Sequence, residues 1–238
     1  MNLARRILMA RRMGDTQDCA PDYDPYWDDV VLLLKGDGPD GSTNITDSSV
    51  YGHPVTVNGN AQISTAQSVY PGGSSIYFDG TGSHLAFTDT NVILDGDFTF
   101  EFYLRQTAWN NSTSGSDYPI MMYRGSTSYL EIGARGLYTR IQGSIVSSGM
   151  DYRDGNWHHI ALVRKDGYAS FFSDGNKVTN DVDASGRTYI DKSFHVGIYP
   201  GHSHHFYGHI DEFRITQGVA RYTTDFPPPC APFPTTGP

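Results

Sequence analysis

Two neighbouring histidines, His158 and His159, follow Trp157 in "DGNWHHIALVRKDGYASFFSDGNKV". They are the first place to look for acid–base or metal chemistry, because imidazole titrates near neutral pH and ligates metals. Adjacent residues of a strand point to opposite faces, so on a strand the pair makes a poor catalytic or ligand set. Asp211 and Glu212, in "GHIDEFRI", are adjacent too and diverge on a regular strand. Retaining glycoside hydrolysis needs two carboxylates facing one cleft, and no E-x-D-x-x-E or E-x-D-x-E run is present. Nucleophile elbows, phosphate loops and zinc-protease motifs are missing as well. The chain reads as non-catalytic, with no cofactor required.

Two binding chemistries stay open. Apolar alternation in "GHIDEFRI" breaks between Ile210 and Phe213, as a β-bulge produces, and a bulge re-aims side chains. Asp211 could then face the Asp79-Gly80 turn, where carboxylate and carbonyl oxygens suit calcium, so a structural calcium on Asp79, Gly80 and Asp211 is one expectation. His202, His204, His205 and His209 in "YPGHSHHFYGH" read as a polar loop rather than a ligand set. The second chemistry is sugar recognition, which needs exposed rings for stacking and side chains that bond hydroxyls. "TAWNNSTSGSDYP" gathers Trp109, Asn110, Asn111 and Tyr118 in one long loop, and these are the expected glycan contacts, unless Trp109 folds back on a sheet edge.

The elements that must position these groups are strands. Twenty-six Gly, thirteen Pro and 13% aromatics, with charged residues at only 18%, suit short strands and tight turns. "DFTFEFYLR" places Phe98, Phe100, Phe102 and Leu104 on one face and Thr99, Glu101, Tyr103 and Arg105 on the other. With Ile160 and Leu162, the residues of the first face are the expected core. The strand opened by Trp157 is apolar on both faces, so it should lie centrally, between two covered surfaces, with Asp166-Gly167 and Asp174-Gly175 as its turns. His158 and His159 are then strand residues. An all-β, two-sheet antiparallel sandwich with an extended N-terminal arm is the expected fold.

Net charge is −9; subtracting the four positive charges of Arg5, Arg6, Arg11 and Arg12 leaves −13 from Asp15 onward. So acidic a body makes a poor phosphate binder, and no specific nucleic acid is expected as a partner. The organisation predicted is a basic arm and acidic connector over 1–26, a sandwich over 27–226 and a Pro-rich tail over 227–238. The arm's apolar run, Ile7 to Ala10, is too short and too interrupted for a secretory leader, and no run is long enough to span a membrane. Cys19 and Cys230 lie near opposite ends; neighbouring terminal strands would let them meet, while a reducing cytoplasm would keep both as free thiols.

In order and spacing, "SIYFDGTGSHLAF", "FTFEFYLR", the Trp157 stretch, "FHVGIY" and "FYGHIDEFRITQGVARY" resemble the laminin-G-like domains of the concanavalin A-like lectin and glucanase superfamily, over about Trp27 to Phe226. The resemblance implies a jelly roll that usually lacks catalysis, often binds glycans or proteins and sometimes holds calcium. "ITQGVARYTTDFPPPCAPFP" looks like the tails of such proteins encoded by bacteriophages and prophages. That resemblance implies a structural protein of the virion, assembled in the host cytoplasm as a capsid decoration or tail appendage. Arg5, Arg6, Arg11 and Arg12 would anchor it to other virion proteins through the N-terminal arm, in a homo-oligomer or multicopy assembly, with a host surface polysaccharide as a further partner. A free carbohydrate-binding module or adhesin is the alternative, and a glycan hydrolase a more distant one.

Overall fold

A computed structural model of the chain describes residues 22–88, 92–106, 121–124, 129–133, 138–141, 144–147, 149–186, 189–190, 193–198 and 205–238. A 3-10 turn over Trp27–Asp29 leads into β1 (Val30–Leu34), β2 (Val55–Asn58), β3 (Gln62–Ser64), β4 (Ser75–Asp79), β5 (His84–Thr88) and β6 (Ile93–Leu94). Then follow β7 (Phe98–Arg105), β8 (Met121–Arg124), β9 (Tyr129–Gly133), β10 (Tyr138–Ile141), β11 (Ser144–Ser147) and β12 (Trp157–Lys165). The last are β13 (Tyr168–Ser173), β14 (Asn176–Lys177), β15 (Val182–Asp183), β16 (Tyr189–Ile190), β17 (Ser193–Val196) and β18 (Tyr207–Gln217).

Two antiparallel sheets carry the fold. The larger runs β14-β13-β12-β7-β18-β4-β3, with β1 on β18 and β15 on β13; the smaller runs β11-β10-β9-β8-β17-β5-β2. A two-stranded piece pairs β6 with β16. Together they are the expected all-β sandwich.

Strand alternation decides what lies between the sheets. Phe98, Phe100, Phe102 and Leu104 of β7 meet Ile160 and Leu162 of β12 across the register, and all six are fully buried, as their spacing predicts. From the smaller sheet come Leu85, Phe87, Phe194 and Val196, with the rings of Phe87 and Phe194 stacked at 4.3 Å. On the long central strand β18 the alternation breaks where expected. Asp211 faces Tyr103 while Arg214 faces Glu101, a bulge that puts Glu212 at φ +48°. It falls where β18 stops pairing with β4 and starts pairing with β1.

The other face of the larger sheet is covered in part. Residues 22–29 and 219–238 pack on it. Phe233 closes over Val30 and Leu33; Ala220, Tyr222 and Phe226 close over Ala161, Val163 and Phe172. A Cβ on Gly175 would lie 1.8 Å from the Phe226 carbonyl oxygen, so the tail can lie on this turn only because residue 175 has no side chain. This layer is why both faces of β12 are apolar, as the sequence indicated.

Candidate functional site

Beyond the tail, no described segment packs over the outer face of the larger sheet, and one cross-strand row occupies it. Trp157 of β12 lies opposite Arg105 of β7, Arg105 opposite His209 of β18, His209 opposite Tyr77 of β4, and Tyr77 opposite Gln62 of β3. Direct cross-strand partners share a face, so five side chains from five strands line up over about 19 Å at the usual strand spacing. Tyr207, two residues from His209, stands beside them.

The rings pack on one another. Tyr77 lies 5.1 Å from His209 and 6.3 Å from Tyr207, and Trp157 lies 6.4 Å from His209. Trp157, Arg105, Tyr77, Tyr207 and Gln62 remain partly exposed, with His209 as the buried floor between them. A Cβ on Gly208 would lie 2.5 Å from the Arg105 carbonyl oxygen, so a glycine between Tyr207 and His209 lets β18 and β7 approach at this row.

His209 has a defined protonation state. Its Nδ1 is 3.0 Å from Ser75 Oγ, whose own proton goes to the Gln67 carbonyl at 2.7 Å. Nδ1 is therefore the donor, and Nε2 carries the lone pair. Burial, helped by the charge of Arg105, pushes the imidazole pKa down to about 4, so the ring is neutral at neutral pH. Burial and the neighbouring Tyr207 raise the Tyr77 hydroxyl above its ordinary value.

One row further along the sheet, His159, Tyr103 and Asp211 are in register, and here the tail closes the platform. The hydroxyls of Tyr70 and Tyr103 both donate to the Pro229 carbonyl oxygen, Tyr70 at 3.1 Å. Behind Pro229 is a buried ionic network. Arg214 donates to Glu101 Oε1 at 2.9 and 2.7 Å and to Asp24 at 2.7 Å, Arg221 donates to Asp24 at 2.8 and 3.0 Å, and the Tyr222 hydroxyl donates to Glu101 Oε2 at 2.8 Å. Burial alone would raise the Glu101 pKa, but the Arg214 guanidinium, with His159 and Arg221, holds it well below the usual carboxylate range. A cavity of about 270 Å³ lies between this network and Tyr23, Pro227 to Pro229 and Pro234. Its charged groups are already paired with one another.

His158 and His159 take opposite faces, as strand geometry requires. His158 lies between Asp174, at 2.7 Å, and Asp154, at 3.1 Å; burial works against its charge, but the two carboxylates outweigh it and raise its pKa. His159 lies 3.3 Å from Glu101.

The structure does not bring Asp79 and Gly80 together with Asp211. Tyr207 faces Asp79 and Ile210 faces Ile76, so Asp211 sits four strand positions from Asp79, about 13 Å. Asp211 is buried and accepts from Val69 N at 3.2 Å and Glu212 N at 2.9 Å. Asp79 serves its own turn, accepting from Ser83, Thr81 and Asn60 at 2.7 to 2.9 Å, while Gly80 supplies the φ of +72° that the turn needs. Among the described residues no three metal-ligating side chains gather.

Trp109, Asn110, Asn111 and Tyr118 lie outside the described residues, as do Arg5, Arg6, Arg11 and Arg12. Of the two alternatives for the cysteines, the structure has Cys230 disulfide-bonded; Cys19, the other cysteine of the chain, is outside the described residues. No helix among the described residues is long and apolar enough to cross a membrane.

Residues 79–221, more than half of the chain, match the model of a family described as the concanavalin A-like lectin/glucanases superfamily. No curated protein matches the chain in sequence. Among solved structures, the binding domain of Paraclostridial Mosquitocidal Protein 1 superposes with a TM-score of 0.64 at 16% identity, over 83% of this chain and 50% of that one. Domain 4 of AbnA, a GH43 extracellular arabinanase from Geobacillus stearothermophilus, in complex with arabinotriose, gives 0.59 at 16%, over 80% and 93%. A structure of botulinum neurotoxin type C, whose cell entry depends upon interaction with two ganglioside molecules, gives 0.58 at 18%, over 80% and 48%. This chain spans about half the length of the two toxin chains. At these identities the likeness is one of fold.

Proposed function

Because the chain belongs to the concanavalin A-like lectin/glucanases superfamily, we propose that it is a non-catalytic carbohydrate-binding domain that lays an oligosaccharide along the outer face of its larger sheet. The observation that carries this reading is the row Trp157, Arg105, His209, Tyr77 and Gln62. Trp157, Tyr77 and Tyr207 offer ring faces for the apolar C–H faces of sugars. Gln62, the tyrosine hydroxyls and the His209 Nε2 lone pair offer partners for hydroxyl groups. The row is straight because one sheet builds it, and it is long enough for several sugar rings. The arabinotriose and ganglioside named for two structures of the same fold support a sugar as the ligand class.

The test is binding of the sandwich, displayed in many copies, to an array of surface polysaccharides, with Trp157→Ala and Tyr77→Ala as variants. Both rings are partly exposed, so the variants should fold. Each is expected to lose about tenfold or more, the loss of a stacking contact of roughly 1–2 kcal/mol. Equal binding by parent and variants would overturn the platform.

A finer reading sets this domain on a bacteriophage particle, as a capsid decoration or tail appendage. The resemblance of "ITQGVARYTTDFPPPCAPFP" to phage-encoded tails supports it. Many copies on one particle would turn weak sites into adhesion. Sedimentation with purified particles tests it; a chain found only free would leave a separate adhesin or binding module.

A further inference from the structure

Arg105 sits in the middle of the platform, between Trp157 and His209. The other cations whose side chains are described have partners. Lys35 approaches Glu212, Arg153 pairs with Asp151, Lys165 with Asp97, Lys177 with Asp181, and Arg214 and Arg221 with Asp24. Arg164 is bonded as well. Arg105 is partly exposed, and among the described residues it has neither an ion pair nor a hydrogen bond from its guanidinium. In a chain with 26 acidic and 17 basic residues, an unpaired guanidinium is not explained by a shortage of carboxylates. Its neighbours in the row add no competing charge. His209 is neutral, and neither Trp157 nor Gln62 carries a charge.

From this geometry we infer that the platform selects a carboxylated sugar, a uronate or a sialate, with Arg105 as the residue that reads the carboxylate. The inference rests on the platform reading above and narrows it. A guanidinium presents two parallel N–H donors that match the two oxygens of a carboxylate, and such charge-assisted pairs are shorter and stronger than neutral hydrogen bonds. In the row, the carboxylate would lie over Arg105 while ring faces of the same or adjacent units rest on Trp157 on one side and Tyr77 on the other. His209, kept neutral beside Arg105, leaves the carboxylate to the guanidinium and offers Nε2 to a neighbouring hydroxyl. Because the body of the protein is acidic, the selection is local, made at one contact rather than by a general positive field.

The experiment compares oligosaccharides that differ only in this group. Intact chain, displayed in many copies, is titrated against immobilised uronate and sialate oligosaccharides and against their methyl esters, at low and at raised salt. The acids are expected to bind roughly tenfold more tightly than the esters, the value of a charge-assisted contact of about 1.4 kcal/mol, and the difference should shrink as salt rises. Arg105→Gln should erase the difference between acid and ester, and Arg105→Lys should keep part of it as a point charge. An acid and ester bound equally by the parent, or a difference that survives Arg105→Gln in a variant that melts like the parent, would overturn the inference and leave the platform standing. Binding of neither form, with no neutral glycan bound either, would overturn the platform and the inference together.

Discussion

Glu101 has no contact with water, although the sequence places it on the face of β7 opposite the phenylalanines. Alternation names the face of a strand correctly but not what covers that face. Here the cover is made of Asp24, Tyr222 and the proline run, none of which carries a periodic signal. The carboxylates of Glu101 and Asp24 are compensated by Arg214 and Arg221, and Arg214 also lies flat on the Phe233 ring at 3.7 Å. Removing one member of a buried network leaves the others charged and unpaired, which is the expensive way to break it. Arg214→Ala is therefore expected to lower unfolding stability by about 3–5 kcal/mol in a denaturant titration, without touching the open row around Arg105. A loss under about 1 kcal/mol would show that water reaches these carboxylates and that the network is a surface feature.

At the scale of the element, β18 shows what could be read and what could not. The break between Ile210 and Phe213 was legible because three apolar residues cannot keep period two across it. Where the bulged side chains point was not, because that depends on β4 ending and β1 beginning at the same place along β18. Asp211 and Glu212 end up buried beside Val69 N, Phe233 N, Lys35, Asp37 and Arg214. Burial pushes both carboxyl groups up to about 7, for Asp211 with Glu212 adding to the rise, for Glu212 with Lys35 holding part of it back. In the unfolded chain they titrate near 4. Between those values the folded protein keeps protons that the unfolded chain has released. Their contribution to stability is thus full below about pH 4 and is lost as pH rises through about 7. His209 works in the opposite sense, since its contribution is present above about pH 6.5 and lost as pH falls through about 4. A comparison with Asp211→Asn isolates the first effect. Between about pH 4 and pH 8 the stability of the parent should fall relative to that of the variant, and parallel curves would show that Asp211 is solvated in the folded state.

At the scale of the whole molecule the described residues form three layers: the smaller sheet, the larger sheet, and a partial layer made from residues 22–29 and 219–238. The sandwich, its core and the central place of β12 were legible because each strand carries its own pattern. The open row was not, since Gln62, Tyr77, Arg105, Trp157 and His209 are far apart in the chain and meet only through the register of five strands. A single residue of slip in any strand would turn its member of the row to the inner face. The third layer was hidden for a different reason. A run such as "FPPPCAPFP" has no strand or helix period, and its packing rests on separate points: Phe233 N on Glu212 at 2.8 Å, the Phe233 carbonyl on Lys35 at 3.1 Å, the Pro229 carbonyl on two tyrosines, and Asp24 N on the Thr236 carbonyl at 2.8 Å. Those contacts make the tail part of the fold, so removing residues 227–238 should destabilise the sandwich. Losing the Phe233 ring alone costs about 2–3 kcal/mol of apolar burial, and losing the Cys230 disulfide adds about 2–4 kcal/mol. The truncated protein is expected to melt at a lower temperature than the parent and to bind an apolar dye where Val30, Leu33 and Trp27 are uncovered, with Phe233→Ala reproducing the smaller share of the loss. A truncated sandwich that melts with the parent and binds no dye would show that the larger sheet is stable with this face bare, and that the tail is an appendage to it.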